Sequence, residues 1–480
     1  MIPKDLTIPN KLPIGAGWAE PAGYEDVLFP YDGSLVGQAP IGDADLARSA
    51  LDSAVAVTDE VAAIPSRVRH DLLTSVHRMV QEHSDALEEL LILETGKPRR
   101  DCHTEVQRAL LTCLLSAQEA LRIHGETVPL DLLPSGDGLF GFYSRFPIGV
   151  VVGIAGFNYP FLLAMHKIAP AIAAGCPVIC KPAPQAPLAT LWLVDLVRRV
   201  ADDLGVTPAL CQLVTGGADV GEVLTTDSRV GAVSFTGSAA VGHAIARAAA
   251  PRKVLLELGS NTALIVASDA DLSAAADAIV SGGYYASGQA CISVQRVIVE
   301  APVYDEMVNL VQERAEKVVV GDPREPATQV STLIDDTATR RVQEWVAEAI
   351  NDGAAVVTGG ASDRLVPTVL EHPPLQDLIW REEVFGPVVA MRKVDDLDSA
   401  WKLANDSRYG LHASVWTSSL RTAFLAFQNL KVGGVVVNQV PGFRSDAMPY
   451  GGVKDSGIGR EGPRYAIEEL TVTKMAVINL

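Results

Sequence analysis

The group best suited to covalent chemistry is the thiol of Cys291, in Gly288-Gln289-Ala290-Cys291-Ile292-Ser293, with Gly282 and Gly283 shortly upstream. A nucleophilic cysteine needs an approachable loop and backbone N–H groups that stabilise negative charge, and a glycine-rich entrance to a strand offers both. Taken alone, a free cysteine is more often a small buried hydrophobe. Glu257, in Leu256-Glu257-Leu258-Gly259-Ser260-Asn261, ends an otherwise apolar strand. Burial there raises a carboxyl toward the range of a general base; the competing role is a strand-end ion pair. Asn158, in Gly156-Phe157-Asn158-Tyr159-Pro160, follows another buried strand. Its neutral amide suits an oxyanion, or a plain helix cap.

Two further turns have the chemistry of nucleotide binding. Lys181, in Cys180-Lys181-Pro182-Ala183-Pro184, falls at the carboxyl end of a strand, where open α/β sheets hold nucleotides. The run Phe235-Thr236-Gly237-Ser238 turns from strand into helix, presenting backbone N–H groups and the Ser238 hydroxyl to a pyrophosphate. An ordinary strand-to-helix loop accounts for each equally well. Neither Gly-x-Gly-x-x-Gly nor the Walker pattern is present at these turns, so a dinucleotide must be held differently. Cys176 and Cys180 lack a second ligand pair and read as core, so no metal site is expected.

These residues need elements to position them. Val/Ile-rich runs at 149–155, 177–180, 210–214, 230–235 and 254–258 alternate with Ala-rich helical stretches, the pattern of a parallel sheet covered on both faces. A second α/β unit follows, with strands at 262–267, 294–299, 354–357 and 388–392 and helices at 271–281, 304–318 and 337–352. Ahead of both, an irregular start leads into helices at 43–62, 66–95 and 105–124. The segment 127–145 is broken by Gly and Pro and ends in Leu139-Phe140-Gly141-Phe142-Tyr143, which predicts a projecting hairpin. An apolar hairpin needs a partner, and 470–480 is the candidate, within the subunit or across a dimer.

Composition bounds the function. Lys plus Arg number 39 against 58 Asp plus Glu, a formal charge of −19, which repels a phosphate backbone. Hydrophobic residues at 48% and charged residues at 20% describe an ordinary packing chain. Six cysteines and no apolar signal after Met1-Ile2-Pro3-Lys4-Asp5 fit a reducing compartment, and the expected location is cytoplasmic. The uncharged stretch from Phe146 to Met165 contains Pro147, Gly149, Gly153, Gly156, Pro160 and the polar Asn158, which break a membrane span and suit a strand, a turn and a helix. Neither nucleic acid nor membrane is an expected partner.

In this order, the residues resemble the aldehyde dehydrogenase superfamily, of the NAD(P)-dependent, hydrolytic type. The likeness runs from the helices after residue 43 to the last ten residues. It includes Phe157-Asn158-Tyr159-Pro160, Lys181-Pro182-Ala183, Phe235-Thr236-Gly237-Ser238, Glu257-Leu258-Gly259 and Gly288-Gln289-x-Cys291. Further along it includes Glu383-Val384-Phe385-Gly386-Pro387 and Pro449-Tyr450-Gly451-Gly452-Val453-Lys454-x-Ser456-Gly457. The resemblance implies Cys291 as nucleophile, Glu257 as general base, and Asn158 with the Cys291 N–H as oxyanion hole. It gives Lys181 and Glu383 to the adenosine and nicotinamide riboses, Ser238 to the pyrophosphate and Phe385 to the nicotinamide. Phe157, Pro184, Phe235, Gly237 and Leu258 complete the cofactor set. Lys167, and Glu461 in Gly459-Arg460-Glu461, look like the family's polar path draining a proton from the base. The implied fold has two doubly wound α/β domains and a β-hairpin oligomerisation arm. The boundaries are 1–122 with 147–259 for the Rossmann-like cofactor-binding domain, 260–459 for the catalytic domain, and 123–146 with 460–480 for the arm and C-terminal return. The implied reaction oxidises a small-molecule aldehyde to an acid through a thiohemiacetal and a thioester, in a homodimer or homotetramer.

Departures from the family pattern bear on specificity. Pro184 stands three residues after Lys181, where relatives often carry Glu or Ser. Without a carboxylate to accept a 2′-hydroxyl and repel a 2′-phosphate, both NAD and NADP stay open, NAD slightly favoured. Ser260 replaces the second glycine of the Glu-Leu-Gly-Gly motif, and Ala290 stands where relatives using phosphorylated aldehydes carry Arg. Arg444, in Val440-Pro441-Gly442-Phe443-Arg444-Ser445, and Arg108 are expected near the substrate tunnel. There they either favour an acid-bearing aldehyde or make structural ion pairs. Tyr159, His166 and Tyr450 are expected to line the same tunnel and make it polar. Two alternatives remain: acyl transfer to CoA, which Glu257 argues against, and a nonenzymatic dinucleotide-binding scaffold, which Cys291, Glu257 and Asn158 together disfavour.

Overall fold

Val150–Ile154 is buried at every residue, as a strand covered on both faces must be. In the computed structural model, which describes residues 1–362 and 365–479, it lies inside a six-stranded sheet. The order is Gly457–Ile458, Lys253–Glu257, Val230–Thr236, Val150–Ile154, Val178–Lys181, Cys211–Leu213. All run parallel except Gly457–Ile458, which pairs antiparallel with Lys253–Glu257. From Val150–Ile154 the chain winds outward through Val178–Lys181 to Cys211–Leu213, then returns to the other side at Val230–Thr236. The strand order therefore reverses between Val150–Ile154 and Val230–Thr236, and the crevice beyond their carboxyl ends is where such sheets bind ligands. Asn158 follows one of these strands and Ser238 the other.

The second sheet has seven strands: Ala355–Thr358, Thr368–Glu371, Val388–Val394, Arg296–Glu300, Ala263–Val266, His412–Trp416 and Gly434–Val437. It is parallel apart from Ala355–Thr358. Cys291 lies in the connection from helix Leu272–Tyr284 to strand Arg296–Glu300. The aromatic run forms strand Leu139–Pro147, paired with Thr127–Val128 on one side and antiparallel with Thr471–Asn479 on the other, so the return strand is supplied within the subunit. Leu480, the last residue of the expected partner segment, lies outside the described residues.

The irregular start contains a hairpin, Gly23–Leu28 with Leu35–Ile41. The helix expected over 43–62 is two, Ala44–Ala56 and Thr58–Ala62, and that over 66–95 is also two, Ser66–Glu82 and Ser84–Thr95. At the second break, His83 Nδ1 bonds the Met79 carbonyl at 2.8 Å and Ser84 Oγ donates to the Gln81 carbonyl at 2.9 Å. These side chains take over the carbonyls of the last turn and end the first helix. The helix expected at 105–124 is Arg99–Ala120, starting directly after Pro98. Pro98 lies at the start, where a missing N–H costs nothing. The uncharged stretch is strand Val150–Ile154, a turn, and the opening of helix Pro160–Ala174. Among the described residues no helix is long and apolar enough to cross a membrane.

Candidate active site

Two cavities meet at Cys291. One, of about 430 Å³, is lined by Phe157, Gly237, Ser238, Leu258, Glu383 and Phe385 among others. The other, of about 370 Å³, is lined by Arg108, Tyr159, His166, Arg444 and Tyr450, with Leu162, Leu163 and Tyr285 supplying apolar wall. Asn158, Thr236 and Cys291 line both.

The loop carrying Cys291 is bent by three consecutive left-handed residues, Ala286 at φ 49°, Ser287 at 56° and Gly288 at 76°. The conformation costs a residue with a Cβ roughly 1–2 kcal/mol, so the surroundings must hold it. Asp101 Oδ2 accepts from the Ala286 N–H at 3.0 Å and Ser287 Oγ accepts from the Ser331 N–H at 2.9 Å. Gln289 Oε1 accepts from the Ile334 N–H at 2.9 Å. Among the described residues, the Cys291 N–H makes no hydrogen bond within the chain. Burial pushes the Cys291 thiol up to about 12. Its Sγ lies 3.5 Å from the Tyr450 hydroxyl.

Asn158 Nδ2 donates to the Gln289 carbonyl at 2.9 Å, which leaves its second N–H for another acceptor. It does not cap the following helix. Glu105 Oε1 does, accepting from Phe161 and Leu162 N–H at 2.9 and 3.1 Å. The other Glu105 oxygen pairs with the buried Lys97 ammonium, which sits 3.8 Å from the centre of the Tyr159 ring. Asp101, Glu105 and Arg108 thus share one face of helix Arg99–Ala120 and grip the cysteine loop, the asparagine turn and Asp446 respectively.

Glu257 ends strand Lys253–Glu257 and is buried; burial first, and then the neighbouring Glu461, raise its carboxyl well above the usual range. It is in no ion pair, and its Oε2 has no hydrogen-bond partner among the described residues. Glu461 behaves oppositely. Burial pulls its carboxyl upward, but Lys167 and His166 outweigh this and hold it well below the ordinary value. Lys167 Nζ donates to Glu461 Oε1 at 3.1 Å and to Thr236 Oγ1 at 2.8 Å, and His166 Nδ1 lies 3.2 Å from Glu461 Oε2.

Both tunnel arginines are ion-paired and also line the cavity. Arg108 donates through Nε and Nη2 to Asp446 at 3.2 and 2.7 Å. Arg444 Nη2 donates to Glu461 at 3.3 Å and its Nε lies 3.4 Å from Asp446. Against the upward pull of burial, His166 and Arg108 hold the Asp446 carboxyl far below the ordinary range. Asp446 escaped the sequence reading, although it sits two residues after Arg444 in the same loop. Asp101 and Glu105 were missed as well; their spacing with Arg108 on one helix face was the available signal.

Not every expected cofactor residue lines the larger cleft. Phe157 and Phe385 do, edge to face at 5.8 Å, and so do Ser238, Gly237, Leu258 and Glu383. Burial lifts Glu383 to about 7, opposed by the Ser260 N–H it accepts at 2.9 Å. The Gly237 N–H is already used by the Glu257 carbonyl at 3.0 Å. Lys181, Pro184 and Phe235 do not wall this cavity: Lys181 is buried at its strand end, Pro184 is exposed, one residue from the lining Gln185, and the Phe235 ring packs against Gly237. Gln185 and Arg341 line the cleft instead, Arg341 from helix Asp336–Asn351, whose polar face gave no sign of a site.

Comparison with known proteins agrees with this geometry. The model of the aldehyde dehydrogenase family matches residues 18–476. The chain is 41% identical over 415 residues to a 3-sulfolactaldehyde dehydrogenase of Priestia aryabhattai, covering 86% of each. It superposes with a TM-score of 0.93 at 34% identity on aldehyde dehydrogenase 21 of Physcomitrella patens in complex with the reaction product succinate, covering 98% of each chain. With glyceraldehyde-3-phosphate dehydrogenase of Methanocaldococcus jannaschii, complexed with NADP, the TM-score is 0.92 at 32% identity, over 96% of this chain and 100% of the other. The chain belongs to the aldehyde dehydrogenase family. Its chemistry is the NAD(P)-dependent oxidation of an aldehyde.

Gly288 tests the dependence of the site on its loop. A Cβ there would lie 2.1 Å from the Gly386 carbonyl oxygen. Gly288→Ala is expected to displace Cys291 by an ångström or so and cut kcat by about a hundredfold; turnover within a factor of three of wild type, measured by cofactor absorbance, would show that the loop tolerates the shift.

Proposed function

We propose that the enzyme is hydrolytic, with Cys291 as nucleophile, Glu257 as general base and Asn158 with the Cys291 N–H as oxyanion hole. The observation that carries this reading is the convergence of the two cavities on Cys291 and Asn158. The thiolate adds to the aldehyde carbon, and the spare Asn158 N–H and the unengaged Cys291 N–H meet the oxygen that becomes negative. NAD or NADP, when bound, supplies a hydride acceptor. The residues of the larger cleft fit such a group. Ser238 caps helix Ala239–Ala249, whose first turn carries no acidic residue to repel a pyrophosphate, and Glu383 and Phe385 line the same cleft. Loss of hydride leaves the acyl group on Sγ as a thioester. Glu257 then takes a proton from water as the water attacks, and the carboxylic acid leaves. Lys167 and Glu461 hold the charge beside Glu257 and offer its proton a polar exit. A carboxylate in this position argues against transfer to CoA, and an assembled thiol, amide and base argue against a scaffold. Both NAD and NADP stay open, because Pro184 offers no carboxylate to accept a 2′-hydroxyl or repel a 2′-phosphate; NAD stays slightly favoured.

The substrate we favour is a small polar or acid-bearing aldehyde. Arg108 commits one edge to Asp446, and its Nη1 has no partner among the described residues. Arg444 Nη1 likewise has no partner among the described residues. The named substrate of the Priestia relative and the product bound to the Physcomitrella enzyme are both small acids, which fits two guanidinium edges on such a tunnel.

The arm supports a homodimer or homotetramer. Thr471–Asn479 is the outer strand of its sheet, and Val472, Met475, Val477 and Ile478 are exposed along it. A long apolar edge of this kind is rarely left uncovered.

Four measurements check these assignments. Cys291→Ala is expected to abolish oxidation while dinucleotide binding persists, whereas Glu257→Gln should give one burst of reduced cofactor per site followed by slow turnover. Protonated Glu257 cannot take a proton from water, so wild-type kcat should rise with pH on a limb above the ordinary carboxylate value of about 4, and Glu257→Gln should remove that limb. Arg108→Ala is expected to raise KM for a carboxylate-bearing aldehyde by roughly ten- to a hundredfold while sparing a neutral one; equal effects on both would count against the anionic substrate. Light scattering should give a mass twice or four times that of the chain, and a monomer would overturn the arm's assignment.

A further inference from the structure

Tyr450 stands in the tunnel wall, yet its hydroxyl has one hydrogen-bond partner among the described residues, the Cys291 sulfur at 3.5 Å. The side chain is buried. Burying a hydroxyl is unfavourable unless it is bonded, so a phenylalanine would serve a mere wall better. The ring is fixed on its other sides. The Arg444 guanidinium lies 3.8 Å from the ring centre and His412 packs edge-on at 5.0 Å. Arg444 is in turn held by Glu461 and Asp446. A cation over the ring draws electron density from the phenol and strengthens it as a donor.

The thiol needs such a donor. Desolvation, with Glu383 and Glu257 nearby, opposes ionisation of Cys291, and of the charged groups around it Arg444 acts the other way. Tyr285 and Arg108 also face the pair, and His412 Nδ1 is bonded to the Pro441 carbonyl at 2.9 Å. Apart from Tyr450, none of these groups hydrogen-bonds to Sγ. We infer that Tyr450 is a further catalytic residue, its hydroxyl donating to the Cys291 thiolate and holding the sulfur ready for attack. The inference rests on Cys291 being the nucleophile. On ionisation the S–H bond breaks and its proton passes to water in the tunnel. The electron pair left on Sγ accepts from the Tyr450 O–H, which keeps its proton because burial and the adjacent sulfur lift the phenol well above its ordinary value.

The test is the pH dependence of iodoacetamide alkylation in wild type and Tyr450→Phe, with the labelled peptide identified by mass spectrometry and dinucleotide binding by fluorescence as a check of folding. In Tyr450→Phe the alkylation midpoint should rise by about one to two pH units, with kcat/KM at neutral pH falling roughly tenfold and recovering in alkali. An unchanged midpoint with Cys291 still labelled would overturn the inference while leaving Cys291 as nucleophile, as would a change in KM alone, the effect expected of a wall. Full turnover after complete alkylation of Cys291 would overturn the nucleophile itself.

Discussion

One hydrogen bond, from Asn158 Nδ2 to the Gln289 carbonyl, joins a turn of the six-stranded sheet to a loop of the seven-stranded sheet. The rest of the site depends on that junction. On one side Glu105 fixes the start of the helix after Asn158; on the other Asp101 fixes the left-handed loop before Cys291. Both carboxylates come from one helix, a single turn apart, so the spacing of amide and thiol is set by a rigid rod. Loops held only by each other would drift, and catalytic geometry tolerates little drift.

Around this frame the charges are graded. Glu257 has no cation in direct contact and its carboxyl is raised; Glu461 has Lys167, His166 and Arg444 and its carboxyl is lowered. Two buried carboxyls with opposite surroundings are thus pushed apart in acidity, which is the condition under which one could serve as a base while the other stays a fixed negative charge. Asp446 extends the pattern into the tunnel, where it holds two guanidinium groups in place while leaving each an unused edge. Cations oriented in advance would have less ordering to undergo if an anion bound there.

Much of this was legible in the chain. The runs that became the parallel strands were readable because burial on both faces demands unbroken Val and Ile. Cys291, Glu257 and Asn158 were readable because each sits at a strand end or loop with an unusual residue type. The helix breaks at Val57 and His83 were hidden, since the apolar spacing continues across them and local side-chain bonds to carbonyls do the breaking. Asp101, Glu105 and Asp446 were hidden for another reason: an acid on a helix or loop reads as solvated surface until the fold shows what it holds.

The small strand Gly457–Ile458 lies against Lys253–Glu257, and the Ser456 carbonyl accepts from the Leu258 N–H at 2.9 Å. Glu257 is thus enclosed by residues encoded almost two hundred positions later, with Glu461 just beyond them. The surroundings of Glu257 are therefore complete only once the segment around Ser456–Glu461 has come back onto strand Lys253–Glu257, so this corner of the molecule depends on contacts of very long sequence separation, which are slow to form.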